Sequence, residues 1–299
     1  MSGVALHQRL KSAEDWLARL TKHVLRQWLV HPGRDGVTRP IRVLDATDIQ
    51  EPGSTGMFLR LHYSLRWPDL RCDYSEVTEV KGGEKLGRFS FGKGEIVLAD
   101  RGYSHRAGAA KVLAAGADFV LRWNAAIFPL LLAGRPFFPL AGLRKLRVDE
   151  VAEWNVTFEY EGRSYPVRLC ALRKSRQAAA KAHRKALDKA RRNQTQADPD
   201  FLELTNYVLV LTSLTRKEMP AAKVLAFYRS HWQVELAFKR LKSLLAIGHV
   251  PKANDETAKA WMQGKVLAAL LIEKILLEGR FFPPWGYRAQ CGKSLAMFP

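Results

Sequence analysis

Two short apolar runs, each ending in an aspartate, constrain the fold of this chain more than any other feature. IRVLDAT places Asp45 after the first run, and EIVLADRGY places Asp100 after the second. Unbroken runs of this kind are typical of central strands in a sheet that is covered on both faces. Ligand-binding residues in such sheets lie just beyond the strand ends, so Asp45 and Asp100 are candidate site residues. Asp48 is the alternative to Asp45, but an aspartate further into a turn more often bonds loop backbone, and we favour Asp45.

The surrounding periodicities predict an α/β fold. MFLRLHYSLRW and LRCDYSEVTEV alternate apolar and polar residues, and Pro68 and Asp69 between them predict a hairpin. GEIVLAD, a helix over about residues 104–115 and ADFVLRW predict a strand, a crossover helix and a second, parallel strand. Together these elements predict a mixed sheet flanked by helices.

The segment YRSHWQVELAFKRLK, residues 228–242, carries the most informative polar pattern. At about 100° per residue, one narrow stripe of a helix would hold Tyr228, His231, Glu235, Lys239 and Lys242. An apolar stripe beside it would dock this helix on a core. Taken alone, the pattern also fits a solvated amphipathic helix with one Glu235–Lys239 pair. A carboxylate held beside two ammonium groups and a phenol suits a polyanion that carries a divalent metal.

Asp45, Asp100 and Glu235 together offer three carboxylate ligands. Oxygen donors are the set that Mg²⁺ and Mn²⁺ prefer. Two such ions about 4 Å apart can activate a water or a 3′-hydroxyl on one side of a phosphorus atom and stabilise the leaving oxygen on the other. This ligand set therefore predicts phosphodiester cleavage and transfer.

The chain is strongly basic, with 48 Lys and Arg against 29 Asp and Glu and a net charge of +19. A surplus of this size indicates a polyanionic partner, and nucleic acid is the first candidate. Part of the charge is concentrated in RKSRQAAAKAHRKALDKARR, residues 173–192, an alanine-rich segment that favours a helix. We interpret this segment as a helix that follows phosphates, with a solvated linker helix as the alternative.

The composition argues against several other classes of protein. Cys72, Cys170 and Cys291 show neither CxxC nor Cys/His spacing, so neither a zinc site nor a disulfide framework is expected. The N-terminus has no apolar signal segment, and the best apolar run, residues 266–277, is interrupted by two charged residues. GKS at 292–294 lacks the preceding glycine of a phosphate-binding loop. We expect a cytoplasmic protein with no membrane span and no bound nucleotide.

The motifs also follow one another in a familiar order. The aspartates of DAT and DRGY precede the pattern Y-x2-R-x3-E-x6-K with a further lysine inside it, and His231 stands at the arginine position. PGSTG at 52–56, RLH at 60–62, LTSL at 211–214 and FKRLKSLL at 238–245 accompany them. Over roughly residues 41–275, this arrangement resembles the DDE transposases of bacterial insertion sequences. The closest subgroup is the insertion-sequence-four family, which carries the Tyr-Arg-Glu-Lys signature.

The resemblance implies an enzyme that cuts double-stranded DNA at transposon ends and joins the 3′-hydroxyl to target DNA. Asp45, Asp100 and Glu235 would be the catalytic residues and would bind Mg²⁺ or Mn²⁺, with two ions expected. The resemblance further implies a ribonuclease-H-like core and a homodimer in the DNA complex. The protein would lie in the bacterial cytoplasm and be associated with the nucleoid when it is bound to DNA.

The same resemblance implies four DNA contacts from the signature helix. Tyr228, Lys239 and Lys242 would lie on the DNA, and His231 would stand beside a phosphate in place of the arginine. Histidine is mostly neutral near pH 7 and lacks the guanidinium fork of arginine. We therefore expect DNA binding to tighten as the pH falls through about 6 to 7, and His231→Arg to raise activity at pH 8.

Tyr207 opens the predicted strand YVLVLTSL. In the similar subgroup, an aromatic residue near this place stacks on a base that is flipped out of the duplex, which makes Tyr207 a candidate DNA-binding residue. Stacking of this kind contributes about 1–3 kcal/mol per base. The alternative is a packing residue that neighbouring side chains cover. A base-capturing ring must project toward the cleft shared by Asp45, Asp100 and Glu235.

We divide the chain into five segments. An N-terminal helical remnant covers 1–40, the first part of the ribonuclease-H-like core 41–128, a β-rich insertion with the basic helix 129–214, the second part of the core 215–280 and an irregular tail 281–299. Family members usually carry a longer N-terminal helical region that recognises transposon ends. The alternative function is therefore a truncated, catalytically impaired copy that binds DNA or a partner transposase as an inhibitor.

Overall fold

The computed structural model describes residues 3–28, 39–50, 57–67, 70–250 and 255–279. In these ranges the helices are α1 (Gly3–Lys11), α2 (Glu14–Trp28), α3 (Arg106–Ala114), α4 (Leu140–Leu143), α5 (Arg176–Arg192), α6 (Pro199–Leu204), α7 (Ala221–Arg229), α8 (Trp232–Leu245) and α9 (Asp255–Gly279). The strands are β1 (Ile41–Gln50), β2 (Met57–Trp67), β3 (Arg71–Glu79), β4 (Ile96–Ala99), β5 (Asp118–Arg122), β6 (Leu130–Leu132), β7 (Arg135–Phe137), β8 (Val151–Tyr160), β9 (Arg163–Arg173) and β10 (Tyr207–Thr212). The motif PGSTG and the predicted tail lie outside the described residues.

These strands form one sheet in the order β3-β2-β1-β4-β5-β10-β9-β8-β6-β7. β4 pairs in parallel with both β1 and β5, and the other described pairs are antiparallel. The predicted hairpin is confirmed as β2 and β3, and the predicted crossover as β4, α3 and β5. The predicted α/β fold with a mixed sheet flanked by helices is therefore confirmed.

The central strands are apolar throughout because helices cover both faces of the sheet. Successive residues of β5 show this, since Phe119 and Leu121 belong to the core on the α3 face while Val120 belongs to the core on the other face. That second core also contains Val224 of α7 and Val234 of α8. Side chains alternate between the faces of a strand, so a strand buried on both sides needs an unbroken apolar run.

The described part of the predicted N-terminal helical remnant forms two helices. α1 and α2 are separated at Ser12 and Ala13, and α2 packs against α9. Leu25 of α2 shares the second core with Met262 and Val266 of α9. The N-terminal segment therefore contributes to the layer of helices that also holds α7 and α8.

The predicted insertion extends the core sheet rather than forming a sheet of its own. β8 and β9 form a hairpin, and its turn residues Glu161 and Gly162 both have positive φ, 49° and 72°. Turns of this kind match the right-handed twist of a hairpin. β10 was predicted within the insertion, yet it pairs with β5 on one side and β9 on the other. This strand is thus the junction between core and insertion.

Within the described ranges, no helix is long and apolar enough to cross a membrane.

Candidate active site

The strand register brings the two predicted aspartates side by side. In the parallel pairing of β1 with β4, Leu44 lies opposite Ala99, and the ladder ends at this pair. Asp45 and Asp100 are the next residues on the two strands. Asp45 lies inside β1 because the antiparallel pairing with β2 continues beyond it, with Asp45 opposite Tyr63. The aspartates therefore mark the end of the parallel ladder.

The Asp45 carboxyl lies in a strongly negative environment. Burial, and after it the carboxylates of Asp100, Glu84 and Glu235, raise the pKa of Asp45 to about 8. The backbone N–H of Ala46, which donates to Asp45 Oδ1 at 2.8 Å, acts in the opposite direction. Glu235 thus lies close enough to act on Asp45 although 190 residues separate them in sequence.

Asp48 has a different environment from Asp45. Its Oδ1 accepts a hydrogen bond of 2.8 Å from Arg60 Nε, and the two side chains form an ion pair. Carboxylates that already have a cationic partner are poorer candidates for a metal ion. The geometry agrees with the preference for Asp45.

The signature segment forms two helices joined at Ser230 and His231. Bonds from His231 N to Tyr228 O and from Val234 N to His231 O span three residues, which tightens the chain at this junction. The polar stripe predicted on one continuous helix is consequently divided. Tyr228 belongs to α7, whereas Glu235, Lys239 and Lys242 lie exposed on α8.

Tyr228 contacts a catalytic candidate directly. Its hydroxyl donates a hydrogen bond of 2.8 Å to Asp100 Oδ1. Burial, and after it the Asp100 charge, raise the pKa of Tyr228, so the phenol keeps its proton and acts as a donor. Arg122 lies over the ring of Tyr228, with its guanidinium carbon 5.9 Å from the ring centroid. The sequence analysis placed Tyr228 beside Glu235 and on the DNA, whereas in the structure its hydroxyl bonds Asp100.

His231 does not lie where the sequence analysis expected it. The side chain is only 5 % exposed, stacks on Tyr228 with an interplanar angle of 9°, and its Nε2 lies 3.1 Å from Leu44 O. A carbonyl oxygen only accepts hydrogen bonds, so Nε2 carries the hydrogen. This placement corrects the expectation of an exposed phosphate contact, because the tight junction between α7 and α8 turns the imidazole toward the strand that carries Asp45.

Tyr207 is likewise a packing residue. It is 2 % exposed and belongs to the core on the α3 face of the sheet. Of the two interpretations of Tyr207, the structure therefore supports the covered ring and corrects the expectation of base stacking. The backbone of Tyr207 pairs with Arg173 of β9, and its ring packs within the core on the α3 face.

Sequence reasoning missed Glu84. This residue forms an acidic group with Asp45, Asp100 and Glu235. Burial raises its pKa, and Asp100 and Asp48 add to the effect against Arg60. The Glu84 carboxylate occupies the space that a side chain at Gly102 would need. The glycine of DRGY thereby lets this carboxylate approach the backbone after Asp100. The surrounding sequence KGGEK contains no signal for such a role.

Residues 70–271, more than half of the chain, match the family described as "Transposase DDE domain". The chain belongs to the DDE transposase family. It is 34% identical over 296 residues to InsL of insertion sequence element IS186A from Escherichia coli strain K12, covering 95% of this chain and 78% of that protein. The transposase for insertion sequence element IS421 from Escherichia coli has the same identity and coverage.

This transposase also has a more distant structural likeness. A cryo-EM structure of the piggyBac transposase synaptic complex with hairpin DNA aligns with 78% of this chain and 48% of that chain, at a TM-score of 0.40 and 10% sequence identity. Membership of the family makes the protein a DDE-type DNA transposase, and DNA binding and DNA recombination follow from it. DDE transposases generally use divalent metal ions.

The carboxylates of Asp45, Asp100 and Glu235 suit a divalent ion chemically, but their present arrangement does not bring three of them close enough together to bind one. The donors are all carboxylate oxygens, which suit a hard cation, and the raised pKa of Asp45 shows that added positive charge would be favourable there. Among the described residues, however, no group of three His, Cys, Asp or Glu side chains is close enough to hold a metal ion. Asp100 Oδ1 is engaged by Tyr228 instead.

Proposed function

We propose that this transposase cuts double-stranded DNA at the ends of its insertion sequence and joins the freed 3′-hydroxyl to target DNA. Asp45, Asp100 and Glu235 act as the metal-binding catalytic residues. The observation that carries the proposal is the end of the β1–β4 ladder, where Asp45 and Asp100 are adjacent and Glu235 acts electrostatically on Asp45. Two Mg²⁺ or Mn²⁺ ions would supply the activation of the attacking hydroxyl and the stabilisation of the leaving oxygen.

The protein's own side chains hold the carboxylates and the DNA. Tyr228 orients Asp100 by its hydrogen bond, and His231 orients the backbone before Asp45 through Leu44 O. Lys239 and Lys242 lie exposed on α8, the helix of Glu235, where their ammonium groups can contact DNA phosphates. A homodimer would hold the two transposon ends, and the protein would act in the cytoplasm on nucleoid DNA.

The impaired, inhibitory copy is the weaker hypothesis. The histidine at the arginine position of the signature would be an argument for it, because histidine lacks the guanidinium fork of arginine. His231 has a defined partner and a defined neighbour in the fold, so its presence is not by itself a sign of decay.

The test is cleavage of a plasmid that carries the element ends from the gene's own locus. We expect Asp45→Asn, Asp100→Asn and Glu235→Gln each to abolish Mg²⁺-dependent cleavage while DNA binding is largely retained. Asp48→Asn is the matched control, because it removes the same charge three residues from Asp45, and it should keep cleavage. Cleavage at the wild-type rate by Glu235→Gln would end the assignment of the triad.

A further inference from the structure

A groove of about 720 Å³ runs between helix α5 and the ends of strands β9 and β10. Its volume lies in the range of about 300–1,000 Å³ that is usual for ligand sites. On the helix side it is lined at positions 176, 179, 180, 183, 184 and 187, which share one face of α5. On the opposite side it is lined by Arg173 and Lys174 at the end of β9 and by Asn206 before β10.

The groove is basic on both sides. Arg176, His183 and Arg184 line it from α5, opposite Arg173 and Lys174, and no Asp or Glu is among the lining residues. No side chain of α5 is buried, so this helix has a role other than completing the core. Across the described part of the chain, neither Arg176 nor Arg184 forms an ion pair with a carboxylate.

Positive charge continues from the groove toward the active site. Lys174 Nζ donates a hydrogen bond of 2.7 Å to Thr205 O, and burial together with the nearby Arg122 and Arg101 lowers the pKa of Lys174 to about 8. Arg122 is the residue that lies over the Tyr228 ring, and Tyr228 bonds Asp100. Cations therefore lie in series from Asp100 to the mouth of the groove.

We propose that this groove binds the sugar–phosphate backbone of one strand of the duplex DNA that leaves the active site. The proposal rests on the proposed function, because it takes DNA as the substrate. α5 has 17 residues and is about 25 Å long at 1.5 Å per residue. With one phosphate per 3.4 Å of each strand, it can accompany about seven phosphates. A backbone ligand uses charge without base contacts, which fits the three arginines and Lys174 that line the groove.

The experiment compares two double variants on the same helix. Arg176→Ala/Arg184→Ala removes two charges from the groove face, and Lys181→Ala/Lys185→Ala removes two exposed charges from the opposite face. Binding to a 40-base-pair duplex is measured by fluorescence anisotropy between about 50 and 200 mM salt. Each lost phosphate contact lowers the slope of log K against log salt by about one. Salt weakens the binding of both proteins. Over this salt range, the fold-decrease in affinity of the groove variant should be about tenfold smaller than that of wild type.

We expect the outer-face variant to keep the wild-type slope and the groove variant to cleave at the wild-type rate when DNA is saturating, with a raised KM. Equal slopes for the two double variants would overturn the groove proposal, since charge alone would then explain binding. Specific competition by millimolar inorganic phosphate would also overturn it, because the site would bind a small anion. Unchanged unfolding temperatures exclude misfolding, and loss of cleavage in Asp100→Asn tests the proposed function separately.

Discussion

Two aromatic residues connect the signature helices to the two aspartates. Tyr228 bonds the Asp100 carboxylate, and His231, which stacks on Tyr228 with a centroid distance of 5.9 Å, bonds the carbonyl of the residue before Asp45. One pair of rings thus contacts both strands of the parallel ladder. His231 therefore helps to position the strand that carries Asp45, because its burial leaves it little access to DNA.

Substitutions at His231 should separate geometry from charge. His231→Gln places an amide nitrogen near the position of Nε2 and should keep both stability and cleavage close to wild type. His231→Ala should cost about 1–3 kcal/mol of unfolding free energy, because it removes a buried hydrogen bond and leaves a cavity. His231→Arg should be at least as harmful, since it buries a guanidinium. Urea unfolding and cleavage assays measure both effects. Higher activity of His231→Arg at pH 8 would support the original hypothesis that residue 231 contacts a DNA phosphate.

The raised pKa of Asp45 should make folding stability depend on pH. The folded protein keeps this proton up to about pH 8, whereas the unfolded chain loses it near pH 4. Between these values the folded state binds more protons, so the unfolding free energy falls as the pH rises and levels off above about 8. We expect Asp45→Asn to be more stable than wild type at pH 8 to 9 without divalent ions.

Two control measurements test whether the pH dependence comes from Asp45. Asp48→Asn should retain the wild-type pH dependence between about pH 4 and 8, because it leaves the buried Asp45 carboxyl in place. Added Mg²⁺ or Mn²⁺ should raise the thermal unfolding temperature of wild type at pH 8, since an ion that binds only the folded state stabilises it. The same pH profile for wild type and Asp45→Asn would contradict the burial of a protonated Asp45.

At the scale of elements, one buried arginine of the insertion fixes the start of α7. Arg168 of β9 is 6 % exposed, and its guanidinium donates 2.7 Å bonds to Leu214 O and Met219 O in the segment between β10 and α7. Its Nη1 also lies 3.2 Å from Glu153 of β8. The insertion therefore positions the helix that carries Tyr228, which gives its strands a structural role in the active site.

Removal of this arginine should destabilise the transposase strongly. Arg168→Ala leaves two carbonyls without their donor and weakens the pairing of Glu153, and we expect a loss of about 3–5 kcal/mol of unfolding free energy. Arg144→Ala is the control, because Arg144 also forms a two-bond pair, with Glu203, but on the surface. Exposed pairs contribute about 0–1 kcal/mol. Similar losses for the two variants in urea unfolding would refute the buried role of Arg168.

At the scale of the whole molecule, the ten described strands form one continuous sheet that carries chemistry at one place and basic charge at another. The acidic group lies at the end of the β1–β4 ladder, and the basic groove lies beyond β10 on the insertion side. Arg122 of β5, the strand between them, connects the two by contacting Tyr228 and the backbone of Tyr207. A DNA strand held in the groove would thus be led along cations to the carboxylates.

The sequence by itself determined the strands, the hairpin, the crossover and the two aspartates. These features depend on apolar periodicity and on strand ends, and both are encoded by residues that are close together in sequence. The order of motifs also determined the family, which the match over residues 70–271 confirms. Asp45 and Asp100 were predictable as neighbours because parallel strands bring their ends to one edge.

Only the tertiary structure decided which polar residues are buried and which charges meet. His231 bonds a carbonyl 187 residues away, and no helical period contains that partner. A single turn of tighter helix at Ser230 divided the predicted stripe, and core packing on the α3 face of the sheet covered Tyr207. Glu84, Arg122 and Lys174 acquire their roles from residues distant in sequence, because burial and electrostatic interaction depend on distances in space that sequence spacing does not contain.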